Sequence, residues 1–279
     1  MKSLNSFAEL TRLFNNQETC VQYLAWARWR GKPRCPYCDC EKVYHKNDGR
    51  YACSHCKNTF SVLVGTVFQN TKLSLVVWFR AIFLVCNSKK GISSCQLSMI
   101  LGVTQKTAWF MLQKIRIMLK EKSDIFLDVV RGIITERQNK NGALFKIRLT
   151  DGSNILHPML QKFIYPKSRI YIDQRICYQT LSESEKSKYR IEDPYPLGIF
   201  KENIENQKIV DGLWQQMKRM VMGVYHYVSS SHFHRYVYEA IFRKRTQDKT
   251  NGERFDIAMN RTNLVIPYYL VSPKNTNLN

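Results

Sequence analysis

Four cysteines constrain this chain more than any other feature. They stand as Cys35-Pro-Tyr-Cys38 and Cys53-Ser-His-Cys56, two C-x-x-C pairs separated by 14 residues. A C-x-x-C turn aims both sulfurs at one point, and two such turns complete a tetrahedral thiolate site for a structural zinc ion. The stretch between them, Lys42-Val-Tyr-His-Lys-Asn-Asp-Gly-Arg-Tyr51, predicts a hairpin turning at Asn47-Asp48-Gly49. A last ribbon strand is expected over residues 59–63, ended by Gly65. The alternative is a set of buried or redox thiols, but Cys35 and Cys38 lie among Lys, Arg, Pro and Asp rather than in an apolar run. Cys40 extends no C-x-x-C pair and reads as a spare thiol.

The length of 279 residues allows two or three modules, and a hydrophobic content of 44% gives them cores. Lys and Arg number 43 against 22 Asp and Glu, a formal net charge of +21. Such an excess points to a polyanionic partner. The N-terminus lacks the apolar run of a signal peptide, and the stretch 73–86 is too short to span a bilayer. Nine cysteines, an odd number in a metal-type pattern, suit a reducing compartment better than a disulfide scaffold. The expectation is a cytoplasmic, nucleoid-associated protein with no membrane partner.

Residues 1–30 read as helices and 31–66 as the ribbon. Residues 67–122 read as three helices, over 74–86, from Ser93 through Leu101, and from Thr104 to Lys120. Gly102-Val103 makes the tight turn between the last two, which gives a helix-turn-helix. Its second helix offers Gln105, Lys106, Trp109, Gln113 and Lys114 to DNA, side chains that meet base edges or hold phosphates. A plain helical hairpin is the alternative. Ile100, Leu101, Ala108, Leu112 and Ile115 are expected in the core in either case.

From residue 125 the period changes to that of strands. Strands over 143–149 and 168–173, with a helix over 155–163 between them, follow the grammar of an α/β sheet. Residues 186–200, with Pro194 and Pro196, read as an irregular loop. Residues 206–222 form an amphipathic helix and 232–245 a last helix, before a polar tail over 246–279 expected to be peripheral. Asp173 ends a strand, and Asp211 shares a helix face with Lys218. Two such carboxylates can converge on Mg²⁺ or Mn²⁺. By spacing alone the plainer reading prevails, a strand-end turn residue for Asp173 and a solvated helix face for Asp211 and Lys218. His226, His232 and His234 fit no zinc spacing.

Several runs together resemble a known family. They are Tyr51-Ala-Cys-Ser-His-Cys-Lys-Asn-Thr-Phe, Lys89-Lys-Gly-Ile-Ser-Ser-Cys-Gln-Leu, Leu101-Gly-Val-Thr-Gln-Lys-Thr-Ala-Trp-Phe-Met-Leu and Val210-Asp-Gly-Leu-Trp-Gln-Gln-Met-Lys-Arg. Gly223-Val-Tyr-His-Tyr-Val-Ser and His232-Phe-His-Arg-Tyr continue them. The chain resembles the zinc-ribbon DDE transposases of bacterial insertion sequences, the Merlin-related, ISXO2-like family. The resemblance implies an α+β multidomain protein: a zinc ribbon and helix-turn-helix, then a ribonuclease H-like α/β domain over 123–245. That domain would cleave and join DNA with Mg²⁺ or Mn²⁺. The implied partners are the element's terminal inverted repeats and target DNA, bound by a homodimer or larger assembly. Carried over by position, Asp173 matches the second metal-binding aspartate and Lys218 the basic residue of the late helix. Asp211 stands where the family usually has Glu, or in some members Asn. The family's first aspartate, in a Val-Glu-x-Asp-Glu-x-Tyr strand, has no clear counterpart. Either Asp128 takes its place, or that first strand is missing. The second case leaves a non-catalytic DNA-binding derivative of a transposase. A zinc-ribbon transcription factor is the more distant alternative.

Overall fold

The computed structural model describes residues 4–120, three strands at 144–147, 169–172 and 190–192, and residues 216–271 except 218, 227 and 229–231. The chain divides into two compact units. One joins Met1–Leu119 to Thr246–Asn279, and the other is Lys120–Arg245.

The first unit begins with α1 (Phe7–Leu13) and α2 (Gln17–Trp29). Each starts where a side-chain oxygen accepts an otherwise unpaired helix N–H: Ser6 from Glu9, and Asn16 from Thr19. The ribbon follows as an antiparallel sheet, β1 (Val43–His45), β2 (Tyr51–Cys53) and β3 (Thr59–Phe60), in the order β1-β2-β3. Val43 pairs with Cys53 and His45 with Tyr51, so the hairpin turns at the expected Asn47-Asp48-Gly49. The third strand stops at Phe60, shorter than expected.

Helix α3 (Leu75–Asn87) is the axis of this unit, with Leu75, Trp78, Phe79, Ala81, Ile82, Phe83, Val85 and Cys86 all buried. A helix apolar on nearly every side has to be enclosed by neighbours. Helix α4 (Ser94–Leu101) opens on a full capping box, with Ser93 accepting from Gln96 N–H while the Gln96 side chain accepts from Ser93 N–H. It ends at Gly102, whose φ of 66° is the left-handed conformation that closes a helix. Thr104 then caps α5 (Gln105–Met118). The short helix, glycine turn and longer helix stand where expected. Ala108, Leu112 and Ile115 are buried, but Leu101 is only half-buried and Ile100 is 51% exposed, against the core expectation.

The polar tail also departs from expectation. Its residues from Thr246 form α6 (Asn251–Met259) and a short α7 (Tyr268–Val271), and they belong to the first unit. Phe255, 1% exposed, sits among the rings of Phe14, Tyr23, Phe79 and Phe83 at centroid distances of 5.7–6.1 Å. Helix α6 is therefore core: Phe255, Ala258 and Met259 recur at helical spacing and are buried.

In the second unit the described strands are β4 (Leu144–Ile147), β5 (Arg169–Ile172) and β6 (Arg190–Glu192). They form a parallel sheet in the order β4-β5-β6, with Ile147 beside Ile172 and Tyr171 beside Glu192. Strand β6 corrects the irregular-loop expectation for that stretch. Arg-Ile-Glu alternates for only three residues, too short a run to read as a strand, and pairing with β5 defines it. Residues 216, 217, 219 and 220 are helical and run into a π turn, Val221–Tyr225. A last helix, Phe233–Arg245, carries a buried pair in which Arg243 Nη2 donates to Glu239 at 2.6 Å. The Tyr225 hydroxyl donates to the same carboxylate at 2.9 Å. Among the described residues no helix is long and apolar enough to cross a membrane.

Candidate functional site

The four cysteines come together. Cys35 Sγ lies 3.5 Å from Cys56 Sγ, and Cys38 Sγ lies 3.6 Å from Cys53 Sγ. All four sulfurs fall within 4.8 Å of one another. Zinc–sulfur bonds of about 2.3 Å at tetrahedral angles set sulfurs about 3.8 Å apart, so the cluster fits zinc. Each C-x-x-C turn is followed by a left-handed residue, Asp39 (φ 55°) and Lys57 (φ 59°). The turns aim backbone amides at the sulfurs: Cys40 N–H at Cys38, and Cys56 and His55 N–H at Cys53. Those donors, that of Cys56 foremost, draw the Cys53 thiol down to about 6 against the cost of burial. At Cys38 the donation from Cys40 is outweighed by burial and by sharing with the other thiols, which push it up to about 12. Cys40 takes no part through its sulfur. Its carbonyl accepts from Cys35 N–H at 3.0 Å, which closes the first turn.

The helix end before the ribbon anchors it. Trp29 packs edge-on to Tyr51 at 4.8 Å, and Arg28 donates to the Val62 carbonyl at 2.8 Å. Phe60, Cys35 and Cys53 form the buried centre.

The DNA-facing expectation for α5 divides. Gln105 and Lys106 are exposed in the first turn, and Trp109 is half-buried. Gln105 Nε2 donates to Ser94 Oγ at 3.3 Å, which ties the start of α5 to the start of α4. Gln113 and Lys114 are buried, at 0% and 7% exposure, and are withdrawn as DNA contacts. Lys114 Nζ donates to the Val67 carbonyl at 3.0 Å and lies 5.4 Å from the centre of the Phe110 ring. Burial holds its ammonium below the ordinary lysine range. Lys114→Met should therefore cost about 1–3 kcal/mol of stability through the stranded carbonyl, read by thermal melting. Lys106→Ala should leave melting unchanged and lower the log–log salt slope of DNA binding by about 1. The opposite pattern would show that the outward and inward faces of α5 have been confused.

Asp128, Asp173, Asp211 and Lys218 lie outside the described residues. Next to them, β5 ends at Ile172 as the central strand of its sheet. The exposed face of β1 carries Tyr44, flanked in the chain by the exposed Lys42 and Lys46, none of which belongs to a recognised motif. Their alternation along Lys42-Val-Tyr-His-Lys46 is the signal that marks them.

Residues 15–59 match the model of a transposase zinc-ribbon domain, and residues 125–245 match that of an ISXO2-like transposase domain. The chain carries a transposase zinc-ribbon domain and an ISXO2-like transposase domain. A protein described as an uncharacterised protein in transposable element ISH50, from Halobacterium salinarum, is 30% identical to this transposase-like chain over 107 residues. The match covers 37% of the present chain and 36% of that relative, about a third of its length. No solved structure matches.

Proposed function

We propose that the protein binds the ends of its insertion sequence through its first unit and cuts and joins DNA through its second, a ribonuclease H-like domain. The observation that carries this is a zinc-ribbon match whose four cysteines fold into one cluster, in the same chain as an ISXO2-like transposase match. Helix α5 supplies the duplex grip, with Lys106 on phosphate and Gln105 at the groove. Asp173 and Asp211, with Asp128 in the first position, are the acids that would hold Mg²⁺ or Mn²⁺, and Lys218 would lie along the substrate phosphates. A divalent ion there makes water or a 3′-hydroxyl a better nucleophile and steadies the leaving oxygen. The protein's own part is to hold the end in register and bring the scissile phosphate to the acids, with no covalent enzyme intermediate.

The test is the purified protein with Mg²⁺ or Mn²⁺ on DNA carrying the element's own terminal inverted repeats. Nicking or joining at the repeat ends is expected, with binding that weakens steeply as salt rises. Asp128→Ala should abolish cleavage and leave binding intact. Binding without any cleavage by the unaltered chain would favour a non-catalytic, DNA-binding relative of the transposases. Affinity indifferent to salt would remove the DNA reading altogether.

A further inference from the structure

The ribbon has two faces. On the inner one Tyr51 stacks on Phe60 at 5.8 Å, Trp29 packs edge-on to both, and His45 closes on Tyr51 at 5.0 Å. The outer face is different. Tyr44 points away from that cluster and is 63% exposed, and its ring meets no other aromatic among the described residues. Its register neighbour on β2 is Ala52, and beyond Ala52 on β3 stands Thr59. Small side chains beside Tyr44 leave the flank of its ring open.

Lys42 and Lys46 share this face with Tyr44, two residues to either side along one strand. The ladder runs on to both of them: Ser54 N–H donates to the Lys42 carbonyl at 3.0 Å, and Lys46 N–H to the Arg50 carbonyl at 2.8 Å. Each lysine therefore stands about 7 Å along the strand from Tyr44. Both are exposed, and among the described residues neither is ion-paired. The acids of the ribbon are occupied elsewhere: Asp39 and Glu41 by Arg34, and Asp48 by Arg50. Lys46 feels the Asp48 carboxylate only at longer range than an ion pair. An open ring between two exposed ammonium groups on a flat sheet complements a ligand with flat faces and regularly spaced negative charge.

We infer that the outer face of the ribbon binds unpaired, single-stranded DNA, with a base stacked on Tyr44 and neighbouring phosphates on Lys42 and Lys46. A duplex hides the faces of its bases within its own stack, whereas a single strand offers them to an aromatic platform. The choice of DNA over RNA rests on the DNA-end reading proposed above. The face itself is separate from the helix-turn-helix, which reads duplex. It gives the protein a second grip, suited to the unpaired strand exposed where a DNA end is opened.

The zinc-loaded full chain, titrated with a labelled oligothymidylate and separately with a blunt duplex of the inverted repeat, tests this. Tyr44→Ala should weaken oligothymidylate binding about tenfold or more, the scale of losing one stacked base. Tyr44→Phe should keep wild-type affinity, because the ring does the stacking. Neither substitution should change duplex binding. A wild-type chain that ignores oligothymidylate, or a Tyr44→Ala chain that binds it unchanged, overturns the inference. So does a Tyr44→Phe chain as weak as Tyr44→Ala, since the hydroxyl would then be the contact. Stronger binding to an oligouridylate of the same length overturns the DNA assignment. A chain that binds oligothymidylate through Tyr44 but fails on the duplex counts against the proposed function and leaves this face standing.

Discussion

A chelator that strips the metal, or Cys53→Ser, unfolds the ribbon. The sheet that the cysteines frame comprises two three-residue strands and one of two residues. Its buried centre is Cys35, Cys53 and Phe60. Burying a phenylalanine contributes about 1.5–3 kcal/mol, while ordering each backbone residue costs about 1–2 kcal/mol. Strand pairing and one ring therefore fall well short of holding the hairpin. A structural zinc supplies about 10–16 kcal/mol at neutral pH, so the metal decides whether the ribbon exists. Cys53 is the most telling ligand to replace, because it is buried and receives two backbone N–H donors. Trypsin gives the readout, since Lys42, Lys46, Arg50 and Lys57 are exposed cleavage positions on this short segment. The loaded chain should resist cleavage there, and the stripped chain and Cys53→Ser should be cut rapidly. Protons compete with zinc for thiolate, so the loss should also come on as pH falls, and zinc release should track it. Equal resistance with and without metal would mean that the hairpin holds itself and the cluster is incidental.

What the sequence reveals here depends on how local the signal is. The ribbon is legible because ligand spacing is arithmetic, and α4 and α5 are legible because their ends are written in adjacent residues. Ser93 with Gln96, Gly102 and Thr104 each act within one turn of the backbone they terminate. The faces of those helices are less legible. Periodicity sends polar residues outward, yet Gln113, Lys114 and Arg116 are all buried. The partner that accommodates the Lys114 ammonium is a carbonyl 47 residues earlier, which no helical repeat can encode. Ile100 errs in the other direction, apolar yet exposed at the end of α4. Asp173 and Asp211 show the limit for chemistry. A lone acid at a strand end or on a helix face has the same local pattern whether it binds a metal or water, so their roles rest on the family resemblance.

Truncation after Arg245 should abolish folding of the first unit and its DNA binding, although every residue of the ribbon, α4 and α5 remains. The reason is that this unit is assembled from two stretches far apart in the chain. Phe255 fills the space among four rings from α1–α2 and α3, and the Tyr23 hydroxyl donates to Asp256 beside it. Burial, and then that carboxylate, hold the Tyr23 hydroxyl far above its ordinary range, so it stays a donor at any working pH. Around this centre Asn251 Nδ2 donates to the Asn5 carbonyl at 2.7 Å, Arg30 donates to Asn260 at 3.2 Å, and Val67 N–H donates to the Thr262 carbonyl at 2.9 Å. Gly252 approaches so closely that a Cβ there would lie 2.8 Å from the Leu4 nitrogen. Phe255→Ala alone should cost about 3–5 kcal/mol, a large share of the 5–15 kcal/mol that typically holds a domain. Phe255→Leu, which keeps most of the volume, should cost markedly less. Thermal melting of the two variants ranks them, and binding to the inverted repeat at a temperature where Phe255→Leu is still folded links packing to function. Should the chain truncated after Arg245 melt and bind as the whole chain does, the C-terminal helix is an appendage and the assembly argued here is wrong. If it fails in both, the first unit cannot close until the stretch from Thr246 has been made.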